Sequence, residues 1–221
     1  NFALNDGWLD IAVTDGHVLV LSKYNVIDKV KVNRCGSFIM PKKVAMLLMN
    51  VVDSSDLLEI GWNDRQAHIY KTGRDITFRL IEGKYPNYNA IIPQNPDHEV
   101  ACHRTDLLSA LKAVAPFAPN SSQLLKLTFT DDKLEVSGED YDFAQGATKS
   151  IYVEHYDTNE LSMSIGLKSS SIIGMLSKLN TREVVLYFNT PDRPIVIEPV
   201  DEDGERKEWI TGLLMPMLIN D

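Results

Sequence analysis

Glu82-Gly83-Lys84-Tyr85-Pro86-Asn87-Tyr88-Asn89-Ala90-Ile91-Ile92-Pro93 separates two stretches of chain that follow one grammar, and its reading decides the fold. Proline lacks an amide donor and restricts the residue before it, so a segment this rich in Pro, Gly and Asn continues neither a helix nor a central strand. Tyr85, Tyr88, Ile91 and Ile92 make it too apolar for a solvated tether. It reads as an ordered strap lying against one or both halves.

Upstream, Phe2-Ala3-Leu4, Asn5-Asp6-Gly7 and Trp8-Leu9-Asp10-Ile11-Ala12-Val13 predict a hairpin, since Asp-Gly supplies the positive φ that a tight turn demands. Thr14-Asp15-Gly16-His17 turns into a strand over Val18–Leu21. After a strand at Ser37–Met40, Pro41 opens a helix to about Val52, because proline suits a first helical turn. Strands over Leu57–Trp62, Ala67–Tyr70 and Ile76–Leu80 follow, turning at Asn63-Asp64 and Thr72-Gly73.

Downstream the same order returns, and such internal repeats outrank any single motif. A strand at Glu99–His103 leads to a helix from Asp106 to about Ala115, capped by Thr105 and stopped by Pro116. Strands at Leu125–Thr130 and Leu134–Ser137 follow, joined by a turn at Asp131-Asp132, and another strand runs through Phe143 towards Val153. A third copy reads as strand Leu161–Leu167, helix Ser169–Leu179, strands Val184–Phe188 and Ile195–Glu198, an acidic loop at Asp201-Glu202-Asp203, and a last strand near Trp209–Leu214. The helix openings at Pro41, Thr105 and Ser169 recur every 64 residues. The unit is therefore strand, helix, strand, strand, strand, in three whole copies; residues 1 to 32 supply the last strands of a fourth whose first strand and helix are cut off. Four units in two halves predict two domains of two units each, with helices against antiparallel sheets in an α+β fold.

With 221 residues, 44% hydrophobic and 24% charged, the chain has the composition of a globular protein with room for a sizeable core. Apolar runs such as Val44–Met49 fall far short of the roughly 20 residues of a membrane span, so no membrane partner is expected. Cys35 and Cys102 form no paired framework, which points to a reducing, cytoplasmic setting. A net charge of −9 excludes a protein that is basic all over but leaves room for a local basic face.

The charge is sorted by element. Across the helical segments 41–52, 104–117 and 168–182, Lys42, Lys43, Arg104, Lys112, Lys168, Lys178 and Arg182 face only Asp106, a net +6 in a chain of −9. Lys42, Lys43 and Lys168 sit at helix N-termini, where the peptide dipoles already present positive charge and a lysine costs about 0.3–1 kcal/mol. An external anion would remove that cost. For any one of these lysines a solvated helix face is the better explanation; recurrence in three helices points to phosphates, bound without regard to sequence and with strong salt dependence. No aromatics interleave with the cations, which favours a duplex backbone over stacked single-stranded bases.

Three stretches carry a family resemblance: Thr14-Asp15-Gly16-His17, the strap Gly83-Lys84-Tyr85-Pro86-Asn87-Tyr88 through Pro93, and Leu214-Met215-Pro216-Met217. In this order, on a repeated strand-helix-strand unit, they resemble signatures of the bacterial beta sliding clamp, the processivity subunit of DNA polymerase III. The resemblance implies a DNA-clamp fold, with residues 1–82 as a middle domain lacking its N-terminal part, 83–93 as the interdomain strap and 94–221 as the C-terminal domain. It implies a head-to-tail homodimeric ring around duplex DNA, helices inside and sheets outside, with no cofactor or metal. The residues given carry one of the two ring faces, so they are expected to be monomeric or abnormally associated. It also implies a hydrophobic pocket where the replicative polymerase, the clamp loader and repair polymerases dock short extended peptides. Residue by residue, that pocket would use Thr14, Gly16, His17 and Leu19, Pro86 and Ile91 of the strap, and Leu213, Met215, Pro216 and Met217.

Unbranched, polarisable methionines suit a site shared by several partners; the alternative is that Met215-Pro216-Met217 is core filler, Gly16 a plain turn residue and His17 a structural histidine. Val18, Ala90 and Leu218 stand where the family commonly has basic residues, which implies a more apolar pocket. No Gly-rich phosphate loop, His-Glu-x-x-His or Gly-x-Ser-x-Gly motif occurs. His17, His68, His98, His103 and His155 are dispersed, Cys102 and His103 are strand neighbours facing opposite ways, and Asp201-Glu202-Asp203 lacks calcium-loop spacing. A metal-dependent hydrolase or nuclease with a scattered Asp/His site, and a protein-interaction scaffold that does not touch DNA, stand as the alternatives to a non-enzymatic clamp.

Overall fold

The computed structural model describes residues 1–5, 7–26, 35–53, 58–71, 73–130, 132–156, 161–200 and 210–219. Asp6, Leu57, Thr72, Asp131, the acidic stretch Asp201-Glu202-Asp203 and Trp209 lie outside the described residues. The chain forms two compact units, Asn1–Val13 with Ser22–Asn87, and Thr14–Leu21 with Tyr88–Asp221.

The first unit begins with β1 (Phe2–Asn5) and β2 (Trp8–Thr14), an antiparallel hairpin that pairs Phe2 with Ile11. The strand β3 (Val18–Asn25) gives its second half to this unit. β4 (Gly36–Phe38) pairs with β1 on its other side, and α1 (Lys42–Val51) follows, with Pro41 in the cap position. β5 (Glu59–Trp62), β6 (Gln66–Lys71) and β7 (Arg74–Arg79) form a three-stranded antiparallel sheet. The core is small: Phe38, Ala67, Ile69 and Phe78 are buried, and Phe38 stacks on Phe2 with ring centres 5.2 Å apart. Val44 and Leu48 pack α1 onto this core, but no residue of the helix is fully buried. The strap's Tyr85 hydroxyl donates to the Ala12 carbonyl at 3.0 Å.

The second unit holds two copies of the repeat. One is β8 (His98–His103), α2 (Arg104–Val114), β9 (Leu124–Thr130), β10 (Lys133–Asp140) and β11 (Gln145–Tyr152). After the short β12 (Glu154–His155), the other is β13 (Ser162–Lys168), α3 (Ser169–Leu176), β14 (Glu183–Phe188), β15 (Ile195–Val200) and β16 (Ile210–Leu214). The copies exchange their first strands. β8 runs antiparallel to β14 of the other copy, with Cys102 opposite Val184, while β13 runs antiparallel to β9, with Gly166 opposite Lys126. One sheet is ordered β11-β10-β9-β13; the other runs β12-β8-β14-β15-β16 and continues into the first half of β3.

Strict alternation of buried and exposed residues along β9 and β10 turns one face of each strand inward. On α2 the spacing of Leu107, Ala110, Leu111 and Val114 gives the apolar stripe of an amphipathic helix. These meet Ile172 and Leu176 of α3 in one core, in which Phe129 of β9 and Phe188 of β14 lie 4.5 Å apart between ring centres.

The α+β fold and the order of elements follow the sequence reading; several boundaries do not. The second helix starts at Arg104 with His103 in the cap position, so Thr105 lies inside the first turn and caps nothing. The cause is tertiary: the Arg104 amide donates to the Arg182 carbonyl at 2.9 Å, which satisfies it without a side-chain cap. The third helix ends at Leu176 rather than Leu179, and the Ser177 hydroxyl bonds back to the Ile173 carbonyl at 2.6 Å. The three helix starts are therefore not evenly spaced. Phe143 lies in the turn between β10 and β11, where Ala144 adopts φ 49.

Replacing Phe129 by alanine empties the centre of the second unit and is expected to cost about 3–5 kcal/mol, whereas Met49→Ala on the exposed face of α1 stays within about 0.5 kcal/mol. Urea unfolding of the two variants, followed by near-UV circular dichroism, measures both.

Candidate binding site

Thr14-Asp15-Gly16-His17 builds the first wall of the site from local hydrogen bonds. One oxygen of the Asp15 carboxylate accepts from the amides of His17 at 2.9 Å and Val18 at 2.8 Å, an Asx-type turn that replaces backbone partners. The Thr14 hydroxyl donates to the Val18 carbonyl at 2.7 Å and accepts from the Gly16 amide at 3.1 Å. Gly16 has φ +92, a conformation that side chains with a Cβ rarely adopt. Those two amide hydrogen bonds hold the Asp15 carboxyl below its usual range.

Leu19, the next inward-facing residue, is buried, while His17 is exposed. At the other end of the chain Leu213 is buried and Met215 is 40% exposed; the Met215 amide donates to the His17 carbonyl at 2.9 Å. The first and last motifs are thereby joined by a backbone bond inside the second unit. Beyond Pro216 the tail is pinned again, the Met217 amide donating to the Gly166 carbonyl at 2.8 Å. A Cβ at Gly166 would lie 2.5 Å from the Met217 carbonyl oxygen, so only glycine lets the tail approach β13 this closely. Leu218 then projects 87% exposed. Ile91, just after the 3-10 turn Tyr88–Ala90, is half exposed in the second unit, and Pro86 is exposed in the first. Thr14, Gly16, His17, Leu19, Leu213, Met215, Pro216, Met217 and Ile91 all belong to the second unit; Pro86 belongs to the first.

The helical cations fall into two groups. Lys42 and Lys43 are exposed at the start of α1 in the first unit. In the second unit Lys112, Lys168, Lys178 and Arg182 are exposed, with Lys168 in the cap position of α3. Arg104 differs from them. Its guanidinium donates to the Thr181 carbonyl at 2.7 Å and the Leu176 carbonyl at 3.3 Å, so it ties the start of α2 to the end of α3. Sequence inspection had no means of separating it from the others, because its partners lie far along the chain. Gly166 was likewise missed, since a glycine inside a strand signals a close approach without naming what approaches.

Burial pushes the Cys102 thiol up to about 12, helped by the carboxylates of Asp106 and Glu183, so the thiolate nucleophile is suppressed. His103 lies 3.4 Å from a Glu183 oxygen, a half-exposed pair. Among the described residues no group of three His, Cys, Asp or Glu side chains is placed to hold a metal ion, and no helix is long and apolar enough to cross a membrane.

The second unit, with two strand-exchanged repeats packing their helices together, has the architecture of a DNA clamp. The chain superposes on a crystal structure of the DnaN sliding clamp of Pseudomonas aeruginosa bound to griselimycin with a TM-score of 0.87, covering 99% of this chain and 56% of that one at 19% identity, which establishes the fold. A family profile described as the DNA polymerase III beta subunit, C-terminal domain, matches residues 89–217. The beta sliding clamp of Borreliella burgdorferi is 26% identical over 216 residues, 96% of this chain and 52% of that protein; that of Synechococcus elongatus is 25% identical over 215 residues, 95% and 54% respectively. The chain belongs to the DNA polymerase III beta subunit family, whose members are non-enzymatic accessory factors of a polymerase. It spans about half the length of these relatives.

Two measurements probe the site's construction. The carboxyl carbon of Asp15 should titrate below an ordinary aspartate in an NMR pH series. Because its folded pKa is depressed, the turn's stabilisation is complete above the unfolded value and fades as pH falls through the folded one, so the His17 and Val18 amides should exchange faster only in acid. Gly166→Ala forces the tail away at a cost of about 1–3 kcal/mol, visible as faster exchange of the Met217 amide with the core amides of β9 unchanged.

Proposed function

We propose that this chain is the partner-docking part of a DNA sliding clamp, which encircles duplex DNA and holds the replicative polymerase on it. The reading rests on family membership and on one observation in particular: the hydrogen bond from Met215 to His17, which draws the tail onto the Thr14–His17 turn beside partly exposed apolar side chains. Rigid backbone on two sides and adaptable methionine side chains between them suit a site that accepts short extended peptides from several proteins. Thr14, Gly16 and His17 shape the wall, Leu19 and Leu213 form the floor, and Met215, Pro216, Met217 and Ile91 offer apolar contact. With Val18, Ala90 and Leu218 in place of basic residues, apolar anchors dominate affinity. The clamp loader and repair polymerases would use the same pocket, in the cytoplasm, where the family's chemistry takes place.

The cationic residues of the helices are assigned to the DNA. Lys42, Lys43, Lys112, Lys168, Lys178 and Arg182 are exposed and free to meet phosphates without reading bases. Arg104 contributes its positive charge from a fixed position.

Griselimycin, the ligand of the similar Pseudomonas aeruginosa clamp, serves as a probe of the pocket. Binding measured by calorimetry should weaken at least about tenfold, near 1.4 kcal/mol, in Met217→Ala; unchanged affinity removes the methionine from the pocket. For DNA, joint replacement of Lys42, Lys43, Lys168 and Lys178 by alanine should flatten the slope of log K against log salt by about three to four on any duplex sequence. A scaffold that never touches DNA shows the same retention on a low-salt gel with or without the four lysines.

A further inference from the structure

Gly166 lies in the middle of an edge strand, and three groups converge on the place its side chain would take. A Cβ there would lie 2.5 Å from the Met217 carbonyl oxygen, 2.9 Å from Leu124 Cδ1 and 3.0 Å from Ile219 Cγ1. The bare backbone of β13 is therefore a seat, over which one apolar side chain from β9 meets another from the tail. Ile219 is partly buried there, while Leu218, the residue before it, is 87% exposed. Alternation of this kind marks a chain that rests one face on a sheet. The wall of the seat is held in turn by an unusual residue. Leu124 follows Gln123, whose φ of 55 is rare for a residue with a side chain. Three hydrogen bonds keep Gln123 in place: its amide donates to the Pro119 carbonyl at 2.7 Å, its carbonyl accepts from the Ser169 amide at 2.8 Å, and its Oε1 accepts from the Ser170 hydroxyl at 2.7 Å. A backbone conformation this unfavourable persists only where the surroundings over-determine it, and such residues collect near functional surfaces. Here the bonds tie the start of β9 to the start of α3 and fix Leu124 opposite Lys168, beside Gly166.

We propose that Ile219 is a positioning residue of the docking site: seated on Gly166 against Leu124, it holds the tail so that Met215 and Met217 are presented to a partner peptide, without touching the peptide itself. The proposal rests on the assignment of the pocket to this tail. Past Pro216, which has no amide to donate, the tail meets β13 through the Met217 amide. One backbone bond at a strand edge holds weakly, because water competes for both of its groups. Burial of Ile219 against Leu124 adds a contact that excludes water and shifts the balance towards the seated tail. A ligand that needs the seated tail binds in proportion to the fraction of molecules that have it, so the anchor acts on the rate of association. A side chain that touched the ligand would act chiefly on dissociation.

The test uses the whole 221-residue chain carrying Ile219→Ala, with griselimycin as the ligand. Amide exchange at Met217 should quicken about tenfold while the core amides of β9 stay unchanged. Association of griselimycin, followed by surface plasmon resonance, should slow about three- to tenfold with dissociation unaltered. Ile219→Val, which keeps a branched side chain on the seat, should restore both. Three results overturn the inference: Met217 exchange that is indifferent to Ile219→Ala, association that is unchanged although exchange has quickened, and a change confined to dissociation, which would make Ile219 a contact of the ligand. Failure of the pocket assignment looks different. Griselimycin affinity that ignores Met217→Ala removes the pocket and the positioning role with it, while Met217 exchange still reports on its own whether Ile219 seats the tail.

Discussion

The exchange of first strands between the two repeats of the second unit is the constraint on which the rest depends. Because β8 belongs to the sheet of the later repeat and β13 to that of the earlier one, neither sheet is complete until both repeats have folded. The helices that follow these strands are carried into contact as a consequence, and the core between them closes around Phe129 and Phe188. Arg104 reinforces the arrangement at the junction of strand and helix. Its side chain meets the carbonyl of Leu176, the last residue of α3 and one of the groups a helix leaves without an internal partner, and its positive charge lies at the negative end of that helix's dipole. One residue therefore aligns two helices that repeat symmetry alone would merely bring near each other.

The proposed docking site is a product of the same framework. The strand β16 ends the later repeat, and its extension runs along the backbone at His17 and then across β13 at Gly166. Each hydrogen bond uses main-chain atoms, so the side chains of Met215 and Met217 are not drawn into them and remain partly exposed. The turn at Thr14–His17 achieves a similar economy by satisfying its amides with Thr14 and Asp15. Main-chain hydrogen bonds with partly exposed methionine side chains are the physical basis of the proposed adaptability of this surface.

Legibility in the sequence followed the range of the interactions. Strands such as β9 and β10 were plain because alternation is a local property, and the turn at Asp15-Gly16 was plain because Asx chemistry spans three residues. Helix ends were less so. Thr105 has the chemistry of a cap, but the Arg104 amide already has a partner on Arg182, and a bond between residues so far apart leaves no trace in a local window. The same distance hid the difference between Arg104 and the exposed lysines. The family resemblance put Met215 and His17 in one pocket, but the backbone bond between them was not foreseen, since nothing in either segment alone names the other. Repeat periodicity led to the right order of elements while giving an even spacing of helices that the caps at Pro41, His103 and Lys168 do not obey.

The bridge between Gly166 and Met217 has a consequence for the molecule's behaviour in concentrated solution. β13 is the outermost strand of its sheet, and an open outermost strand is a template on which other chains stack into fibrous aggregates. Past Pro216 the tail seats its Met217 backbone against the middle of that template. A polypeptide ending before Met217 would lose this backbone bond and leave β13 bare at Gly166, so the tail caps a strand edge as well as closing the fold.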